Sequence, residues 1–288
     1  MRRTDLTIEV PQDFDFGVVV DSHGWRALAP FSDDAEASAL KRIHRLSDGV
    51  LLRLTMRTPL QVQVESERAL SPSQRAELIA DLRTIFSVDW DLAAFYAAMA
   101  EHPDGQWIVE RRWGRMLVAP SVWEDLAKTL LTTNTTWAQT IGMCARLCML
   151  GGSFAPGEHA FPTPAEIIAL PLEEFAARVR AGYRSASLYA LAEAIASGDL
   201  DVEAWRSLPS DELFAQVRAL RGFGDYAAGT MLRLLGRFDR LAIDSACRSA
   251  YRRISGSPSA SDAAIRAHYA AYGEWRGLVM WLDIMRED

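Results

Sequence analysis

Over the first 65 residues the apolar positions recur with a period of two. Leu6-Thr7-Ile8-Glu9-Val10, Val18-Val19-Val20, Leu51-Leu52-Arg53-Leu54-Thr55-Met56 and Leu60-Gln61-Val62-Gln63-Val64 predict strands of an antiparallel sheet. At Ser71-Pro72-Ser73-Gln74 the pattern changes to an N-cap, a proline in the first turn and a capping-box partner, and the apolar spacing beyond is helical. Ser121-Val122-Trp123-Glu124 and Thr163-Pro164-Ala165-Glu166 predict two further helix starts of the same kind. Gly151-Gly152-Ser153-Phe154-Ala155-Pro156-Gly157 reads as a loop between helices. The predicted class is therefore α+β, with a small N-terminal antiparallel β domain over 1–70 and helical domains over 71–288.

One stretch interrupts the helical region in an informative way. A helical segment, Asp211 to Leu220, runs into Arg221-Gly222-Phe223-Gly224-Asp225-Tyr226, and a second helix leaves from Tyr226 to about Leu235. Two glycines in so short a turn allow positive φ and let successive N–H groups share one concave face. With a helix N-terminus behind them, those groups form an anion site. Eighteen residues after Tyr226 stands an isolated acid, Asp244, in the sequence Ala242-Ile243-Asp244-Ser245. A plain helix connection and an ordinary N-cap would also fit these residues.

Composition narrows the partners. The 288 residues carry a net charge of −7, which argues against a nucleic-acid binder. Between residues 218 and 253, however, eight arginines face three aspartates, so that segment is +5 and the rest of the chain −12. A basic patch on an acidic body implies salt-sensitive, rather weak DNA binding, although a solvated helix face has the same composition. Three cysteines cannot all pair, and they are too few for a four-cysteine iron–sulfur centre. No apolar run is long enough to span a membrane and the start is not a signal core. A cytoplasmic, nucleoid-associated protein is expected.

The segment from Leu220 to Tyr226 with Asp244 resembles the hairpin of the helix-hairpin-helix DNA glycosylases, with Arg221 where that family normally has proline. The resemblance extends through Trp123 to Met143, which is similar to the wedge segment of the 8-oxoguanine enzymes. Phe161-Pro162-Thr163-Pro164, Ala181-Gly182-Tyr183-Arg184 and the closing Tyr272-Gly273-Glu274-Trp275-Arg276-Gly277 follow in order. It covers about residues 85 to 285, with the hairpin at about 211–236. The N-terminal sheet matches by pattern the β domain of these enzymes and of the inducible 3-methyladenine glycosylases. The C-terminal helix is expected to return onto the helices of 71–120.

The resemblance implies roles for individual residues. Asp244 would be the catalytic carboxylate that stabilises positive charge on the sugar and orients water. Gly222, Gly224 and Asp225 would hold a DNA phosphate, aided by Arg221 and Arg248. The carbonyls of Arg218, Leu220 and Phe223 would hold a monovalent cation, K+ or Na+, and no other cofactor is implied. Asn134 would meet the orphaned partner base, Tyr183 would wedge beside it, and Gln139 takes the third contact position. Trp137, Tyr226 and Trp281 would line the base pocket, where the tryptophans suit a cationic base.

Two departures matter. Bifunctional members carry a lysine two residues after the last hairpin glycine, where this chain has Tyr226, and there is no lysine from residue 218 to the end. The resemblance thus implies a monofunctional glycosylase, a monomer acting on double-stranded DNA that contains a damaged base. Ala246 stands where the oxoguanine enzymes have histidine. Alkylated or deaminated purines are the favoured substrates, with an oxoguanine enzyme lacking efficient lyase activity and a non-catalytic damage-binding protein as the alternatives.

Overall fold

A computed structural model describes residues 1–34, 37–257 and 259–286. In chain order its strands are β1 (Arg2–Thr7), β2 (Phe31–Asp34), β3 (Ala39–Arg45), β4 (Leu51–Arg57), β5 (Gln61–Ser66), β6 (Ser153–Ala155) and β7 (Glu158–His159). Its helices are α1 (Phe16–Val20), α2 (Pro72–Ile85), α3 (Ala93–Glu101), α4 (Gln106–Glu110), α5 (Val122–Thr132), α6 (Trp137–Cys148) and α7 (Pro164–Ile168). There follow α8 (Leu172–Val179), α9 (Arg184–Ala196), α10 (Ser210–Ala219), α11 (Asp225–Leu234), α12 (Ser245–Ser255), α13 (Asp262–Tyr269) and α14 (Arg276–Met285). The fold is α+β.

The chain forms two compact units, one of residues 1–89 and 115–203, the other of 90–114 and 204–288. Their boundaries differ from a division at residue 70, because the sheet shares its unit with α2 and with α5 to α9. The sheet has the antiparallel order β1-β5-β4-β3-β2. Alternation builds its inner face: Leu54 lies opposite Val64 and Met56 opposite Val62, all buried.

Three local expectations change. Val18-Val19-Val20 is the end of helix α1, not a strand, because Asp15 caps it by accepting the Val18 N–H at 3.1 Å. The loop at 151–157 contains β6, which pairs with β7. Strand β3 lacked a readable apolar alternation because its buried positions include Arg42 and His44. Arg42 is accommodated by a fork onto Glu124 of α5 at 2.8 and 2.6 Å, and Lys128 reaches the same carboxylate at 2.7 Å. Burial would raise the Glu124 pKa, but the two cations outweigh it and bring it to about 2.

The second unit has its own core. Phe95, Met99 and Ile108 of α3 and α4 pack with Leu278, Val279 and Leu282 of α14, and with Ile265 and Tyr269 of α13. The helices of 71–120 that share a core with the C-terminal helix are therefore α3 and α4. Gly277 opens α14 directly under the chain that precedes Asp244. Its N–H donates to the Phe238 carbonyl at 2.7 Å, and a Cβ there would collide with the Arg240 carbonyl.

Candidate active site

In the second unit α10 and α11 form the hairpin. Leu220 leaves α10 in an extended conformation, and its carbonyl accepts the Phe223 N–H at 3.1 Å. Gly222 adopts φ +92°, which a residue with a Cβ strains to reach. Gly224 does not: it is the N-cap of α11 at φ −111°, with open space where a Cβ would stand. No side chain caps α11 among the described residues, and uncapped N–H groups at a helix start form an anion site. Phe223 is buried and fixes the turn, while Arg221, Gly222, Gly224 and Asp225 are exposed. Asp225 pairs with Arg218, Oδ1 to Nε at 2.8 Å.

Asp244 is the N-cap of α12. Its Oδ1 accepts the Cys247 N–H at 2.8 Å, and no other hydrogen bond to its carboxylate occurs among the described residues. Its register against the hairpin is set by a glycine that sequence reading passed over. A Cβ at Gly229 of α11 would stand 3.1 Å from the Ala242 Cα and the Leu241 carbonyl. The backbone leading to Asp244 therefore lies directly against α11.

Beneath this contact lies a second residue that sequence reading gave no role. Arg233 of α11 is 3% exposed, and its Cζ sits 4.3 Å from the centre of the Trp281 ring. Burial pulls its pKa down to about 10, while Tyr226, Asp244 and Cys247 oppose the shift. One face of Trp281 is thus taken by the protein's own cation. Tyr226 is half-buried against the same core.

In the first unit Asn134 and Tyr183 come together. Asn134 follows α5 in the left-handed region, at φ +47°, and its Nδ2 donates to the Tyr183 hydroxyl at 3.2 Å. Tyr183 is 60% exposed at the start of α9, and the Asn134 bond is the main cause lowering its pKa. Arg184, buried one residue on, donates from Nε to the Thr133 carbonyl at 2.9 Å and from Nη2 to the Asn134 carbonyl at 2.8 Å. It braces the loop that presents Asn134, a task visible only once the two segments are seen in contact. Gln139 is the capping-box partner of Thr136, its Oε1 accepting the Thr136 N–H at 3.2 Å. Trp137 lies over Gly24 and is 43% exposed.

The basic segment is more neutral than its count of arginines. Arg240 pairs with Asp211, Arg248 with Asp262 at 2.8 Å, and Arg237 caps backbone carbonyls. Arg221 and Arg252 are exposed without an ion pair among the described residues. Of the carbonyls assigned to a cation, those of Arg218 and Phe223 accept no hydrogen bond among the described residues, whereas that of Leu220 accepts the Phe223 N–H. No group of three or more histidine, cysteine or acidic side chains converges on a metal position among the described residues. A cavity of about 590 Å³ in the first unit, lined by Arg42, His44, Asp81 and Phe161 among others, includes none of the candidate residues.

The fold, with its sheet-bearing unit, its helical hairpin closed by a glycine turn and an acid at the next helix start, is shared with solved structures of DNA glycosylases. The 3-methyladenine DNA glycosylase of Archaeoglobus fulgidus superposes with a TM-score of 0.74 at 16% identity, over 99% of this chain and 97% of the other. The 8-oxoguanine glycosylase/lyase of Clostridium acetobutylicum superposes with a TM-score of 0.74 at 15% identity, over 99% and 96%. The same enzyme bound to double-stranded DNA with cytosine opposite 8-oxoguanine gives 0.73 at 14%, over 97% and 96%. No family model and no curated protein matches the sequence. Among the described residues no helix is long and apolar enough to cross a membrane.

Proposed function

We propose that this chain is a monofunctional DNA N-glycosylase that removes damaged purines, alkylated or deaminated, from duplex DNA. The observation that carries the reading is Asp244, a partly exposed carboxylate locked at a helix start and held against the glycine hairpin by the Gly229–Ala242 contact. A base inside a duplex must be flipped out before its glycosidic bond is reached. As that bond breaks, positive charge develops on the sugar, and a fixed carboxylate stabilises it. Oδ1 is held by Cys247, which leaves Oδ2 to face the sugar and to align a water for attack at C1′.

The remaining assignments follow the same logic. The uncapped N–H groups of the hairpin turn and α11 hold a phosphate, with Arg221 beside them and the Arg218, Leu220 and Phe223 carbonyls holding a monovalent cation. Arg248 adds a phosphate contact by exchanging Asp262 for DNA. Asn134 and Tyr183 present a paired amide and aromatic ring to the orphaned base, and Gln139 keeps its Nε2 as a donor beyond the capping box. Tyr226 has no amine to form a Schiff base, so the strand is left intact after excision. The protein acts as a monomer in the cytoplasm.

Replacing Asp244 tests the assignment. Asp244→Asn keeps the N-cap acceptor and should lower excision by at least about 100-fold while leaving affinity for a damaged duplex within a few-fold. Unchanged turnover in a single-turnover assay would remove Asp244 from the chemistry.

A further inference from the structure

The buried face of α11 carries a polar line that hydrolysis by Asp244 does not use. Tyr226, Thr230 and Arg233 stand at i, i+4 and i+7, one above another along the helix. The Thr230 hydroxyl and the Arg233 Nε and Nη1 have no hydrogen-bond partner among the described residues. Unpaired buried donors are rare in native folds and ask for an explanation, of which an acceptor brought from outside the chain is one. A guanidinium kept charged inside the protein also acts on its surroundings with little screening by water.

Resting on the glycosylase reading, we propose that Arg233, on the face of the helix that packs against the backbone leading to Asp244, is the specificity-determining residue of the Asp244 site. It restricts excision to uncharged, acceptor-bearing purines such as hypoxanthine or ethenoadenine, and it excludes cationic ones such as 7-methylguanine. Three features of the site act together. A permanent positive charge beside the bound base repels a second one. One face of Trp281, on which a cationic base could stack, already carries the Arg233 guanidinium at 4.3 Å.

The third feature concerns the leaving group. When the C1′–N9 bond of a neutral purine breaks, its electron pair stays on the base, which departs as an anion and later takes a proton from solvent. Water supplies the oxygen to C1′ and its proton passes to Asp244. A neighbouring guanidinium stabilises that anion. A cationic base departs neutral and gains nothing from it.

The test compares excision from duplexes that differ only in the lesion, each rate divided by the spontaneous rate for that lesion. For the wild type the normalised rate for hypoxanthine or ethenoadenine should exceed that for 7-methylguanine by about 100-fold or more. Arg233→Met should collapse that ratio by at least tenfold and Arg233→Lys should restore part of it. A general folding defect lowers all rates alike and leaves the ratio unmoved. Normalised release of 7-methylguanine as fast as hypoxanthine, or a ratio indifferent to Arg233→Met, overturns the inference and leaves the glycosylase reading standing. If no lesion is released, that reading fails. The ratio of Kd values for the same duplexes, by fluorescence anisotropy, then decides the charge selection: a ratio near one overturns it too.

Discussion

Asp244 and Asp283 lie in the same unit and show how differently two carboxyls can be set. Asp244 is half-exposed and anchored by a backbone N–H, which suits its proposed role as the acid that meets the sugar. Asp283 is 6% exposed and accepts the Tyr269 hydroxyl at 3.0 Å, and burial pushes its pKa up to about 6, with Tyr269, Arg286 and Arg253 opposing. The sign of the linkage follows. Between the ordinary aspartate value and about 6 the folded chain binds more protons than the unfolded one, so the contribution of Asp283 to stability falls as pH rises through 6. Asp283→Asn should therefore stabilise the protein at pH 7.5 relative to pH 4.5, by on the order of 2 kcal/mol. Denaturant unfolding of both proteins at the two pH values checks this, and an unchanged difference would mean that Asp283 is already ionised in the fold at pH 4.5.

Among the elements, the two hairpin glycines separate. Gly222 needs positive φ and Gly224 does not. Gly222→Ala should cost about 1 kcal/mol or more of stability, and Gly224→Ala should cost nearly none. Both should lower affinity for damaged and undamaged duplexes by similar factors, since a phosphate contact reads no base. A loss confined to one lesion, seen by anisotropy, would contradict the phosphate role. Much of this architecture was legible beforehand. Ser71 with Gln74 and Thr163 with Glu166 form the capping boxes their spacing predicts, and Asp244 is the N-cap its position suggests. What escaped depends on distant partners. The strand β3 hides behind a buried Arg42 whose counter-charge comes 82 residues later. The value of Gly229 lies in a close approach to Ala242, and Arg184 matters through carbonyls about 50 residues away. Local periodicity contains none of that information.

For the molecule as a whole, charge is the feature least faithful to its count. The +5 of residues 218–253 is spent largely within the protein, on Asp225, Asp211, Asp262 and backbone carbonyls, with Arg233 buried. The proposed binding to DNA would therefore rest on few free cations and on oriented N–H groups, in keeping with a chain of net charge −7. The proposed chemistry rests on Asp244 and on a sequence without lysine from residue 218 onward, and both halves of that proposal can be read in one assay. Duplexes carrying a single hypoxanthine, ethenoadenine, 7-methylguanine, uracil or 8-oxoguanine are incubated with the protein and resolved with and without hot alkali. Strand breaks that appear only after alkali, from at least one purine lesion, are the predicted result. Breaks without alkali would contradict hydrolysis without a Schiff base, and no release from any duplex would contradict the glycosylase account.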